Sequence, residues 1–251
     1  MTDLLNKKVV VIFGGSGGIG EACANLFADA GASIALSHRP GQEKAEKAQN
    51  ILQKLKGDRH LALPVDIGET ATILAARDHI VSHYGRCDIL INSAGFTKPV
   101  PHHDLEALDD ALIDRMFAVN WRGQFATIRA FAPLLKSSGQ GLVVSVSSIA
   151  GSTGQGSSIA YCATKAGIDV MTKSLGRALA PEIRVLGVAP GVVDTGFVPG
   201  RGAEFNEKIS ATTPLRRVAT ADDVAKAILA CATYLPFSTG TTLVVDGGRS
   251  L

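Results

Sequence analysis

Apolar runs of strand length, almost uninterrupted by polar residues, are what most restrict the folds open to this chain. Lys8-Val9-Val10-Val11-Ile12-Phe13, Ile89–Asn92, Leu142–Val146 and Ile183–Val188 are of this kind. Strands that apolar are buried on both faces, as in a parallel sheet. Further strands are expected at Ser33–Ser37, His60–Val65 and Thr242–Val245. Helical spacing fills the intervals, at Gly18–Ala30, Gln42–Lys56, Thr70–Tyr84, Leu108–Leu135, Ile159–Leu179 and Ala221–Thr233. Strand and helix in alternation, joined by right-handed crossovers, predict an α/β fold. Its single doubly wound parallel sheet is of the Rossmann type, with about seven strands and helices on both faces.

A chain of 251 residues, 46% hydrophobic, can bury one large core, so residues 1–251 are read as a single domain. Lys and Arg total 25 against 23 acidic residues, with no block of like charge, which gives no reason to expect nucleic acid or an anionic membrane as partner. Signal-peptide order is missing before Val9, and no apolar stretch approaches the ~20 residues of a spanning helix. Cys23, Cys87, Cys162 and Cys231 lie far apart without a CxxC pair. A cytoplasmic enzyme with no metal is therefore expected. Adjacent His102-His103 with Asp104 reads as a solvated loop. Asp194 to Pro214, the one long irregular segment, is expected to form a substrate lid over residues 194–214, with Phe197, Val198 and Phe205 supplying apolar contacts.

Three chemistries compete for Gly14-Gly15-Ser16-Gly17-Gly18-Ile19-Gly20, which follows a strand and opens a helix. A P-loop needs Lys and then Ser/Thr after its last glycine, where Glu21 and Ala22 stand. Gly14-x-Ser16-x-Gly18 also matches the nucleophile elbow of a serine hydrolase, whose histidine comes last in the chain, but no histidine follows His103. A dinucleotide turn remains, in which backbone N–H groups at a helix start approach a pyrophosphate. Either Gly15, Gly17 and Gly20 or Gly14, Gly18 and Gly20 satisfies its spacing.

Tyr161 and Lys165 stand four apart on a predicted helix, so both project from one face. A phenol ordinarily ionises near pH ~10, and a nearby ammonium favours the phenolate. Such a pair is also what any solvated helix face presents. Ser148, at the end of a strand, would stand at the carboxyl edge of the sheet, where doubly wound folds bind their ligands.

Taken together, these residues resemble the short-chain dehydrogenase/reductase family over the whole chain. Gly14, Gly18 and Gly20 match its glycine motif, with Phe13 in place of the usual threonine, and this favours the second register. Asn92-Ser93-Ala94-Gly95 is similar to the family's Asn-Asn-Ala-Gly after the fourth strand, which borders the cofactor. Ser148, Tyr161 and Lys165 match the catalytic set, the first two thirteen residues apart. Asn120 matches the asparagine whose backbone holds a water of the proton relay. Pro190, Gly191, Val193 and Thr195 match the segment that closes on the nicotinamide, and Asp246-Gly247-Gly248 matches the C-terminal end.

The resemblance implies hydride transfer between a nicotinamide cofactor and a carbonyl or alcohol, with 3-oxoacyl reduction among the candidate reactions. Ser148 would hold the carbonyl oxygen, Tyr161 would protonate it, and Lys165 would bind the ribose. Ser16 and Ile19 lie in the phosphate turn, and Asp66 and Ile67 would meet the adenine. Ser37-His38-Arg39 offers no carboxylate to a ribose 2′-OH, and Arg39 suits a 2′-phosphate, so NADP is expected and NAD is the alternative. Apolar residues around much of Ile159–Leu179 suggest a partner on one face, and the resemblance implies a homotetramer built partly on this helix. A catalytically silent dinucleotide sensor on the same fold is the competing class of function.

Overall fold

A computed structural model describes residues 4–200 and 202–251. Seven parallel strands form one sheet in the order β3-β2-β1-β4-β5-β6-β7. They are β1 (Val9–Phe13), β2 (Ser33–His38), β3 (Leu61–Pro64), β4 (Ile89–Asn92), β5 (Gly141–Val146), β6 (Ile183–Pro190) and β7 (Thr241–Val245). Between them run α1 (Gly18–Asp29), α2 (Gln42–Leu52), α3 (Thr70–Tyr84), α4 (Asp110–Phe117), α5 (Gly123–Ser137), α6 (Ala150–Thr153), α7 (Ile159–Ala178), α8 (Ala203–Thr212) and α9 (Ala221–Thr233).

The period-two geometry of a strand explains why the runs are apolar throughout. Val10 and Ile12 face one core, packed with Phe27 of α1 and with Val224 and Ile228 of α9. Val11 and Phe13 face the other, packed with Ile73 and Ile80 of α3, Phe131 of α5 and Ile168 of α7. Phe13 meets Phe131 edge to face, ring centres 5.7 Å apart. Because β1 pairs with both β2 and β4, the chain reverses its winding there and opens a crevice at the carboxyl ends of the strands.

Two expectations need correction. The stretch Leu108–Leu135 is not one helix: a π-helical turn, Ala118–Arg122, separates α4 from α5. One extra residue in a turn barely disturbs an apolar period, so the pattern hides it. Such turns frequently sit at functional sites, and Asn120 lies in this one. The segment 194–214 is not irregular throughout, since it contains α8. Glu204 and Lys208 pair at i,i+4 along that helix, and Phe205 and Ile209 share the same spacing. Gly200 and Gly202 just upstream mask both signals.

Candidate active site

The glycine turn is shaped by what leaves no room for a side chain. Gly14 has φ +81°, and a Cβ there would stand 2.5 Å from the Ala94 nitrogen, so the turn lies directly on the segment after β4. A Cβ on Gly20 would collide with the Gly14 carbonyl oxygen, and one on Gly15 with the Leu36 Cβ. At Gly18 it would lie 2.7 Å from the Thr195 Cγ2, whereas at Gly17 it would come no nearer than 3.3 Å to the Gly14 carbonyl. These clearances fit the register of Gly14, Gly18 and Gly20, and add Gly15, which that spacing alone did not single out. Ser16 is half-buried in the turn and Ile19 lines the neighbouring cavity. Helix α1 starts at Gly18 with no side-chain cap, so the positive end of its dipole opens at the turn. A cradle without side chains at an uncapped helix start fits a pyrophosphate.

Around this turn the candidate residues divide by exposure. Ser37 Oγ accepts a hydrogen bond from the Gly14 N–H (3.0 Å), tying β2 to the turn. His38 is buried, its Nδ1 2.8 Å from the Arg39 carbonyl oxygen, so its ring is held on its own backbone. Arg39 is exposed and has no ion-pair partner among the described residues. Asp66 is exposed, with Oδ1 accepting from the Gly68 N–H at 2.9 Å, while Ile67 is buried beside Gly123.

Asn92 is wholly buried, and its Oδ1 accepts from Thr127 Oγ1 at 2.8 Å. Its side chain thus braces β4 against α5, and Ser93 and Gly95 of the following segment line the cleft, while Ala94 packs on Gly14. Asn120 is also wholly buried. Its Oδ1 accepts from the Phe96 N–H (2.7 Å), and its Nδ2 donates to the Phe96 carbonyl (2.9 Å) and to Thr164 Oγ1 (3.3 Å). That carboxamide ties the π turn to both the β4 loop and α7.

Ser148, Tyr161 and Lys165 line one cavity of about 690 Å³ at the carboxyl edge, together with Pro190, Gly191, Val193 and Thr195. Ser158 caps α7 by accepting from the Tyr161 N–H (3.2 Å), which fixes the first turn and with it the direction of Tyr161. Ser148 Oγ accepts from the Ala150 N–H (3.2 Å) and keeps its own proton to donate. Lys165 is buried. Its Nζ donates to the Val146 carbonyl at 2.8 Å and stands 5.6 Å from the Tyr161 ring centre. Burial pulls its ammonium down from 10.5 to about 8, opposed by the Asp169 carboxylate.

Phe197, from the 194–214 segment, tilts over Tyr161 with ring centres 6.2 Å apart. Helix α8 adds Phe205, Ile209 and Thr212 to the wall, and Arg249 reaches it from the C-terminal tail. Sequence reasoning set the segment 194–214 over the pocket without singling out Ile209 and Thr212, and it missed Arg249. The i,i+4 spacing of α8 could have supplied the first, but nothing local marks the tail. His102 and His103 are exposed, and among the described residues no three His, Cys, Asp or Glu side chains converge as metal ligands. Nor is any described helix long and apolar enough to cross a membrane.

A family model described as enoyl-(acyl carrier protein) reductase matches residues 14–250. A cis-4-hydroxycyclohexanecarboxylate dehydrogenase of Sinomonas cyclohexanicum is 33% identical, over 99% of this chain and 98% of its own. A crystal structure named as a short-chain dehydrogenase/reductase, from Burkholderia xenovorans, superimposes with a TM-score of 0.91 at 35% identity, covering 96% of this chain and 97% of that one. A 3-ketoacyl-(acyl-carrier-protein) reductase from Brucella melitensis, complexed with NADH, gives 0.89 at 30% identity, covering 98% and 100%.

The depressed ammonium makes a prediction about the free protein. Lys165 ionises near 8 when folded and near 10.5 otherwise, so across that window the unfolded chain holds more protons and folding gains stability as pH rises. The stability of wild type relative to Lys165→Met should therefore climb from about pH 8 to about pH 10 and stay level below about pH 7. Urea midpoints of the two proteins across that range measure it. Parallel curves would contradict a buried, destabilised ammonium.

Proposed function

This chain belongs to the short-chain dehydrogenase/reductase family of NAD(P)-dependent oxidoreductases acting on CH–OH and C=O groups, and from that premise we propose that Ser148, Tyr161 and Lys165 are its catalytic residues and NADP(H) its cofactor. The observation that carries this reading is the convergence of those three side chains on one cavity beside the glycine turn.

Backbone N–H groups from Gly14 to Gly20, with Ser16 and Ile19, would hold the pyrophosphate at the start of α1. Asp66 and Ile67 would border the adenine, Ala94 and Gly95 the middle of the cofactor, with Asn92 as the brace beneath, and Pro190, Gly191, Val193 and Thr195 would hold its nicotinamide end. When bound, the nicotinamide supplies or receives the hydride. Tyr161 gives its phenolic proton to the carbonyl oxygen as negative charge develops there, and takes it back in the reverse direction. Ser148 donates a hydrogen bond to the same oxygen. Lys165, whose ammonium donates to the Val146 carbonyl, would hold the ribose hydroxyls and bias Tyr161 toward the phenolate. The carboxamide of Asn120 is committed to Phe96 and Thr164, so a share in refilling the proton falls to its backbone.

Phe197, Val198 and Phe205 give the substrate wall its apolar contacts, and the segment 194–214 serves as its lid. Likeness to the 3-ketoacyl reductase structure favours a 3-oxoacyl thioester as one substrate class. Val170 of α7 is 62% exposed, and Ile159 and Phe117 are exposed as well. This uncovered apolar surface supports a homotetramer, for which light scattering at micromolar concentration is the test and a monomer the contrary result.

Tyr161→Phe should lower turnover by roughly 10²- to 10⁴-fold, the range a positioned acid supplies, while the cofactor Kd moves only a few-fold. Turnover close to wild type would remove Tyr161 from the mechanism. The cofactor reading rests on Arg39, which is exposed and uncommitted, and on the want of a carboxylate at the end of β2. Arg39→Ala should raise the Kd for NADPH roughly 10- to 150-fold, the worth of a charged hydrogen bond, and leave NADH nearly unchanged. A wild-type enzyme that already prefers NADH would overturn it.

A further inference from the structure

The C-terminal tail is folded into a fixed turn. Asp246 accepts from the Gly248 N–H (2.8 Å), the Ser250 N–H (2.8 Å) and the Ser250 hydroxyl (2.6 Å). Gly247 and Gly248 have φ +66° and +85°, and a Cβ on either would stand 2.9 Å from Thr213 or Pro214, so the turn is pressed against the end of α8. Its geometry aims Arg249 into the wall of the cavity that holds Ser148 and Tyr161.

Arg249 is half-buried there, and Nη1 donates to Thr212 Oγ1 at 3.0 Å. Among the described residues it has no carboxylate partner. The acid lining the cavity among the described residues is Asp194, which receives the Asn206 amide at 2.9 Å, and Asp246 is held by its own turn. Capping of α8 does not explain Arg249 either, because Arg216 already donates to the Ala211 carbonyl at that end. Tyr161 and Arg249 line the same cavity, to which Phe197, Phe205 and Ile209 contribute apolar side chains. A guanidinium without a counter-ion beside apolar side chains is a poor resting place for charge but a ready socket for an anion.

We propose that Arg249 is a specificity-determining residue that pairs with a carboxylate on the substrate, so that the substrate is a ketone or secondary alcohol that is also a carboxylic acid. The proposal rests on the oxidoreductase reading above. A molecule with an apolar frame between carbonyl and acid would lie along Phe197, Phe205 and Ile209, with one end at Tyr161 and the other in the guanidinium fork. A phosphate on a thioester arm offers related chemistry from another source, and the test separates the two.

4-Oxocyclohexanecarboxylate, with ketone and acid at opposite ends of one ring, is compared with its neutral carboxamide, using NADPH and NADH. Wild type should prefer the acid by roughly 10- to 150-fold in kcat/KM, the worth of a charged hydrogen bond. Arg249→Gln should bring the ratio near one by lowering the acid alone, and Arg249→Lys should recover part of it. Equal use of both ketones by wild type, or an equal fall for both in Arg249→Gln, overturns the proposal. So does a preference confined to acetoacetyl-phosphopantetheine over acetoacetyl-pantetheine, which would assign Arg249 to a phosphate. Calorimetric binding of cyclohexanecarboxylate reads the same contact without turnover. Binding to wild type but not to Arg249→Gln supports the proposal even if no ketone is reduced, a result that would count against the reaction alone. No binding to wild type overturns it.

Discussion

The close approach of Gly14 to Ala94 is the contact on which the site depends. It joins the end of β1 to the end of β4 where the winding of the sheet reverses, and it leaves no volume for a side chain on Gly14. Gly20 must pass the Gly14 carbonyl with the same lack of clearance, which fixes the direction in which α1 leaves the turn. The helix start, the floor formed by Ser93 to Gly95 and the neighbouring end of β5 are thereby set relative to one another before any ligand arrives. Such preorganisation spares a site the reorganisation cost at the moment of reaction.

Charge is arranged on that frame with equal economy. Lys165 is buried above the end of β5 with a single backbone acceptor, Val146, and a more distant carboxylate in Asp169. An ammonium so poorly compensated gains more from a new polar partner than a solvated one does, so the lysine is poised to bind. Arg249 repeats the arrangement elsewhere in the cavity lining, held by Thr212 and without a carboxylate partner among the described residues. Both side chains line one cavity, in which Phe197, Phe205 and Ile209 supply apolar contacts beside the polar groups.

Much of this was legible in the sequence because parallel strands buried on both faces write themselves as continuous apolar runs. The seven strands fall within a residue or two of their expected bounds, and α3 and α9 match theirs. Ser148, Tyr161 and Lys165 were legible through spacing, since one helical turn and one strand end bring them together. The π turn around Asn120 was not, because it adds one residue without altering which residues are apolar. Helix α8 was concealed by the glycines before it. The commitments of Asn92 to Thr127 and of His38 to its own backbone depend on side-chain rotation, which spacing does not encode. Arg249 was least legible of all. Its placement follows from Asp246 closing the tail and from two glycines at positive φ, both long-range consequences of the fold.

On this reading the enzyme moves a hydride to a carbonyl carbon while Tyr161 supplies the proton. NADPH deuterated at both positions of nicotinamide carbon 4, incubated with the enzyme and 4-oxocyclohexanecarboxylate in ordinary water, tests it by mass spectrometry of the alcohol. One deuterium on the carbinol carbon and none on the hydroxyl is the predicted result. Alcohol formed without deuterium, or no alcohol from this or any ketone of similar size, would contradict the account.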